Sequence, residues 1–330
     1  MSLYNLTYGW SKLPYHKDLR MQFAPMPWKK RQEKITYSDD DMRKYWRRLI
    51  HVTKSLGYKA ECRVAIDRLS ALLDLNDEKS LTEVIVMLTD IGEVSTAKDM
   101  LENHQFVDPN LRVKATMAVV KALFNQMDIE ACMQLLESID ETADEIDPHS
   151  DAYIDYQLFN REVELVQIYA ERDIEEIRRQ LKESEYLKRL DVYLKLLHPR
   201  GWSDPLLFRL VRLIGYANML EGHYEFAIRN WLESCISFAQ NITKSRDSLE
   251  FRRSMLDYGL AFLPINQIKL ANDHIRYSKI FNEPVENLLN PWIANSIELV
   301  TLNPNVAPEL RQKAACKLKE INDYFENNGL

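Results

Sequence analysis

The stretch Leu213-Ile214-Gly215-Tyr216-Ala217-Asn218-Met219-Leu220-Glu221-Gly222-His223-Tyr224-Glu225-Phe226-Ala227-Ile228-Arg229-Asn230-Trp231 reads as two helices joined by a tight turn. Apolar residues fall at helical spacing on both sides of Gly222, and glycine is the residue that best tolerates the left-handed backbone of a helix stop. Gly215 leaves room for a neighbouring helix to press close. Tyr224 opens the second helix, small Ala227 sits where the two would cross, and Trp231 follows one turn later.

The same phrase recurs along the chain. Short polar turns centre on Gly57, Gly92, Met127, Arg172 and Gly222, and the residues after four of them share one pattern. In Gly92-Glu93-Val94-Ser95-Thr96-Ala97, Met127-Asp128-Ile129-Glu130-Ala131-Cys132, Arg172-Asp173-Ile174-Glu175-Glu176-Ile177 and Gly222-His223-Tyr224-Glu225-Phe226-Ala227, an apolar residue stands third and a small or apolar one sixth. The phrase at Gly57 is weaker, with Lys59 third and Cys62 sixth. Gly57 to Gly92 is 35 residues and Gly92 to Met127 is 35 again; the next intervals lengthen to 45 and 50.

This recurrence resembles the tetratricopeptide (TPR) repeat, a helical hairpin of about 34 residues. Pentatricopeptide and other helical-hairpin arrays share the period. The resemblance covers about residues 40–240 and is carried by the packing residues Gly57, Gly92, Ala97, Gly215, Gly222, Tyr224, Ala227 and Trp231. It departs from the family at Val211, Asn218 and Trp231. It implies an all-α fold, a right-handed superhelical array of antiparallel helix pairs (an α-solenoid), because one such unit cannot bury its apolar flank alone. The expected organisation is an arm at 1–37, repeats over 38–245 with insertions near 137–148 and 185–205, and degenerate pairs with a C-terminal helical cap over 246–330.

Composition points the same way. Eight glycines in 330 residues is well below the usual ~7% and disfavours turn-rich β folds. Hydrophobic residues make up 46% of the chain, enough for a core. A net charge of −7 argues against general nucleic-acid binding. Cys62, Cys132, Cys235 and Cys316 are far apart and in helical, apolar contexts, so buried free thiols in a reducing compartment are expected. No run of 18 apolar residues occurs, no membrane contact is expected, and the N-terminus does not fit a secretory leader. The expected location is cytoplasmic, with organellar import left open.

Residues 1–37 hold Pro14, Pro25 and Pro27 among many aromatics, and residues 1–36 carry seven Lys/Arg against two acids. No helical period survives the prolines. Tyr4, Tyr8, Trp10, Phe23, Trp28, Lys29, Lys30 and Arg31 read as an extended arm that packs on its own body or on a partner, which leaves homo- or hetero-oligomers open.

Catalytic signatures are absent: no phosphate loop, dinucleotide fingerprint, zinc motif or nucleophile elbow. The acids of 137–147 lack the order of a calcium loop. No enzyme activity, cofactor or metal is expected. Instead the TPR resemblance implies that residues 13, 10 and 6 before each turn line a concave groove. Those positions and their neighbours give Lys44, Arg47, His51 and Lys54, then Lys79, Thr82 and Val86, then Lys114, Met117 and Lys121, and finally Arg209, Arg212 and Tyr216. The unit before Arg172 breaks the basic trend with Phe159, Glu162 and Val166. A basic groove in an acidic protein suits a protein or peptide partner, possibly acidic, oriented by charge and held by Met117, Phe124 and Tyr216. The leading expectation is a non-catalytic scaffold or adaptor. A structural subunit of a large assembly, an RNA-binding array and a peptide-sensing regulator are the alternatives.

Overall fold

A computed structural model describes residues 38–143, 145–170, 173–201, 203–243 and 245–328. The arm expected at 1–37, with its aromatic and basic residues, lies outside the described residues. Among those described there are helices and no strand.

The helices come in seven pairs. They are α1 Asp39–Ser55 with α2 Lys59–Ser70, α3 Glu78–Asp90 with α4 Val94–Glu102, α5 Pro109–Phe124 with α6 Ile129–Ala143, and α7 Asp151–Ala170 with α8 Ile174–Glu183. An additional helix, α9 Tyr186–Leu197, lies in the region expected as an insertion. Then α10 Pro205–Leu220 pairs with α11 Tyr224–Ala227, which runs through a π-helical turn, Ile228–Leu232, into α12 Glu233–Thr243. The last two pairs are α13 Leu249–Ala261 with α14 Ile268–Ser278, and α15 Pro291–Leu302 with α16 Pro308–Asn328.

Each pair begins by the same local chemistry. The first helix starts on a side chain that accepts from a first-turn N–H: Ser38, Asp77, Asp108, Asp204, Ser248 and Asn290, and Ser150 for α7. Such caps satisfy donors that no helical carbonyl can reach. Proline fills the first helical position at Pro109, Pro205 and Pro291, where its missing N–H costs nothing.

Five described turns share one hydrogen-bond scheme. Gly57, Gly92, Met127, Gly222 and Asn266 all take positive φ. Each donates its N–H to the carbonyl three residues back, and the next residue donates to the carbonyl five back, as in Tyr58 to Thr53, Glu93 to Leu88, Asp128 to Leu123, His223 to Asn218 and Gln267 to Phe262. This is the Schellman stop, which reverses the chain in the fewest residues. The sixth pair therefore turns at Asn266 by the same device, although its sequence lacks the repeat phrase.

Contacts run mainly within pairs and between successive pairs, with α5 on α3, α7 on α5 and α10 on α7. Close approach uses small residues. A Cβ on Gly215 would meet Leu232 Cδ2 at 2.8 Å, while Ala97 and Ala227 are fully buried. Two apolar clusters result, one from Trp46 to Met255 and one from Ala227 to Ile321. Trp292 is the one core residue of the first cluster that comes from beyond Met255.

Some contacts reach beyond the next pair. Asn290 Nδ2, in the seventh pair, donates to Asn125 Oδ1, in the third, at 2.9 Å. Packed helices lie about 8–10 Å apart, so four steps of a straight stack would separate these groups by roughly 35 Å. The seven pairs therefore do not form a straight stack, and the segment before α15 reaches the end of α5.

Candidate functional site: the face of the first helices

The charged residues expected to line a groove sit on the first helices, and most have carboxylate partners one pair away. Arg47 makes a two-pronged contact with Glu83 at 2.6 and 2.7 Å. Lys54 reaches Asp90 at 2.5 Å. Lys121 bonds Asp155, and Arg209 bonds the other oxygen of Asp155 at 2.6 Å. Arg212 reaches Glu162 at 3.3 Å and Glu250 at 3.2 Å. Lys44 pairs with Asp40 of its own helix. Partners are thus separated by about one repeat, because residues one repeat apart face each other across adjacent first helices.

The expectation of a uniformly basic groove is corrected by this pairing. In α7, α10 and α13 the ladder sinks into the core, where Glu162, Arg212, Arg253 and Asp257 are all buried. Glu162 lies within 4.0 Å of guanidinium nitrogens of Arg209, Arg212 and Arg253. Burial pushes the Glu162 carboxyl up, but the three arginines outweigh it and hold it below the ordinary carboxylate value. Asp257 goes the other way: burial outweighs Arg253, and its carboxyl is raised. It accepts hydrogen bonds from Tyr216 and from Ser296 Oγ at 3.1 Å.

The apolar members of the expected groove are packed. Phe124 is buried edge-on against Phe159, with ring centres 5.2 Å apart. Tyr216 is buried and stacked on Trp292 at 4.6 Å with 11° between the rings. His51 and Lys79 are exposed.

A cavity of about 430 Å³ opens on the same face between α3, α5 and α7. Met117, Ala118 and Ala122 form part of its wall, with Lys114, Lys121, Asp90 and Asp155 supplying charge and Asn125 an amide. Lys121 is pulled below the ordinary lysine value by burial and by the nearby Arg209 charge. Asp90 and Asp155 are engaged by Lys54, Lys121 and Arg209. Lys114 is exposed and makes no ion pair among the described residues. The structure thus brings Lys114, Met117 and Lys121 to one cavity. It places Lys44, Arg47 and His51 on α1, outside the cavity wall, closes Arg212 and Tyr216 into the core, and leaves Arg209 half-buried.

Missed by sequence reasoning were Asp155, Arg253 and Asp257, together with the role of Glu162 as a counter-charge. A signal existed. Arg253 stands thirteen residues before Asn266, the position that gives Lys44, Lys79, Lys114 and Arg209 in other pairs. Glu162, the break in the basic trend, is the counter-charge for the units beside it.

Among the described residues no group of three His, Cys, Asp or Glu side chains is placed to hold a metal ion, and no helix is long and apolar enough to cross a membrane. Cys62, Cys132 and Cys235 are buried and free, whereas Cys316 is exposed, contrary to the expectation of burial for all four. No known family model matches the chain, and no curated protein matches it.

Proposed function

We propose that the chain is a non-catalytic interaction scaffold of TPR-like helical pairs, wound as a right-handed superhelix, whose first-helix face receives a segment of a partner protein. The observation that carries this reading is the cavity between α3, α5 and α7, with a methionine–alanine wall and the unpaired Lys114 at its rim. A preformed site of this kind costs its owner little ordering entropy on binding, and a lysine without an internal carboxylate suits an acidic group on the partner.

The ion-pair ladder supports a scaffold because it fixes the register of successive pairs rather than offering reactive groups. Varied residues at equivalent positions, such as Lys114, Phe159 and Arg209, do not suit a base-by-base RNA code. An intracellular, reducing location accords with the buried free thiols.

The test is site-specific photo-crosslinking in the native cells. A photoreactive residue at Ala118, in the cavity wall, is expected to give discrete protein adducts, which one at exposed Val192 on α9 does not. Equal adduct patterns from the two positions would end this reading.

A further inference from the structure

The seventh pair is joined to the sixth by a connection unlike the turns within pairs. Residues 279–290 begin at Lys279 in the left-handed region, pass Pro284 and include two short 3₁₀ turns, Ile280–Asn282 and Val285–Asn287. Twelve residues can span up to about 40 Å when extended, which lets α15 pack on α13 while Trp292 in its first turn reaches Tyr216 of α10 and Tyr169 of α7.

Where the connection ends, three residues tie it and the start of α15 to the first helices. Asn290 clasps Asn125 at the end of α5. Trp292, 4% exposed, lies flat on Tyr216 of α10 and approaches Tyr169 of α7 at 5.9 Å. Ser296 shares the buried Asp257 carboxylate with the same Tyr216. The indole is held by tyrosine faces and by a carboxylate that fixes one tyrosine hydroxyl, an arrangement suited to an aromatic ligand. Trp292 Nε1 is buried without a hydrogen-bond partner among the described residues, and a residual cavity of about 20 Å³ remains against Tyr169, Tyr216, Asp257 and Ser296.

From these contacts we infer that the segment Asn290–Ser296 is an intramolecular ligand: it docks its indole on an aromatic-binding site formed by α7, α10 and α13 and closes that half of the face. The open half is then the cavity between α3, α5 and α7, and the Asn290–Asn125 clasp is its boundary, since Asn125 lines that cavity. The inference rests on the first-helix face being the binding face, as proposed above.

The experiment uses the full chain and a fluorescein-labelled peptide spanning 286–303 of this sequence. In anisotropy titrations the peptide is expected to bind the Trp292→Ala chain at least tenfold more tightly than the wild-type chain. A peptide carrying Trp292→Ala is expected to lose that affinity tenfold or more. Hydrogen exchange should rise in α10 and in the last turn of α5 of the variant while α1–α4 stay as protected as before. Equal binding to both chains, binding to neither, or a uniform rise in exchange would each overturn the inference, the last by making Trp292 an ordinary core residue. If Trp292→Ala fails to fold, Trp292→Leu, which keeps apolar volume, takes its place with the same readouts. Crosslinking from Ala118 reports on the open half alone, so failure of cis docking and failure of the scaffold reading are separable.

Discussion

Met127 holds a left-handed backbone, φ 61°, at a turn where Gly57, Gly92 and Gly222 do the same without a side chain. The Cβ makes that conformation costly for any L residue except glycine. Met127→Gly is therefore expected to stabilise the chain by about 1 kcal/mol, measured as a shift of the denaturant midpoint at constant slope. An unchanged or lowered midpoint would show that the methionine side chain contributes packing there. At Glu162 the expected effect is larger and opposite. Glu162→Gln removes one charge from beside Arg209, Arg212 and Arg253 and costs about 3–5 kcal/mol at neutral pH, as breaking a buried ion pair does. The sign with pH follows from the depressed carboxyl. Its contribution is present above the unfolded value, about 4.3, and is lost as pH falls through the folded value. The stability gap between wild type and Glu162→Gln should thus narrow on acidification below about pH 4. A gap constant with pH would show that Glu162 is not ionised in the fold. Asp257, with its raised carboxyl, loses favour as pH rises through its folded value, but that contribution is common to both chains.

Between elements, the pairs meet by two devices. On one side small residues bring backbones together. At Gly259 in α13 an added Cβ would lie 3.0 Å from Ile275 N and 3.1 Å from Ala271 O of α14, and backbone atoms cannot swing aside. Gly259→Ala is expected to destabilise by about 1–3 kcal/mol despite the better helix propensity of alanine; a stabilised variant would mean that α13 and α14 separate readily. On the other side charges zip the first helices together. The exposed members, such as Lys54–Asp90, contribute roughly 0.2–1 kcal/mol each, so their value lies in register rather than strength. The sequence made the turns legible, because a helix stop needs a particular backbone at one position and the residues that tolerate it stand 35 apart. It did not make the zip legible, because each cation and its carboxylate lie on different helices and meet only after those helices pack.

Over the whole molecule, burial separates the four thiols. Cys132 and Cys235 are buried, and burial pushes both thiols up to about 12; Cys62 is fully buried and Cys316 is exposed. A colorimetric thiol reagent added to the native chain should titrate one cysteine rapidly and the other three only on unfolding. A second fast thiol would place the opening of a helical pair on the reagent's timescale. At the same scale Asn290 meets Asn125, which also lines the cavity of about 430 Å³ between α3, α5 and α7.

Helices, caps, turns and the pairing of neighbours follow from the sequence alone, because each is set by residues within about one repeat of one another and by local backbone and hydrogen-bond chemistry. The neutralisation of Arg209 and Arg212, the burial of Tyr216 under Trp292 and the exposure of Cys316 were decided by tertiary structure. They depend on how helices distant in the chain pack together, a sum of many small packing angles. No local pattern of residues encodes that sum, and it determines which inward-facing side chains meet one another and which meet solvent.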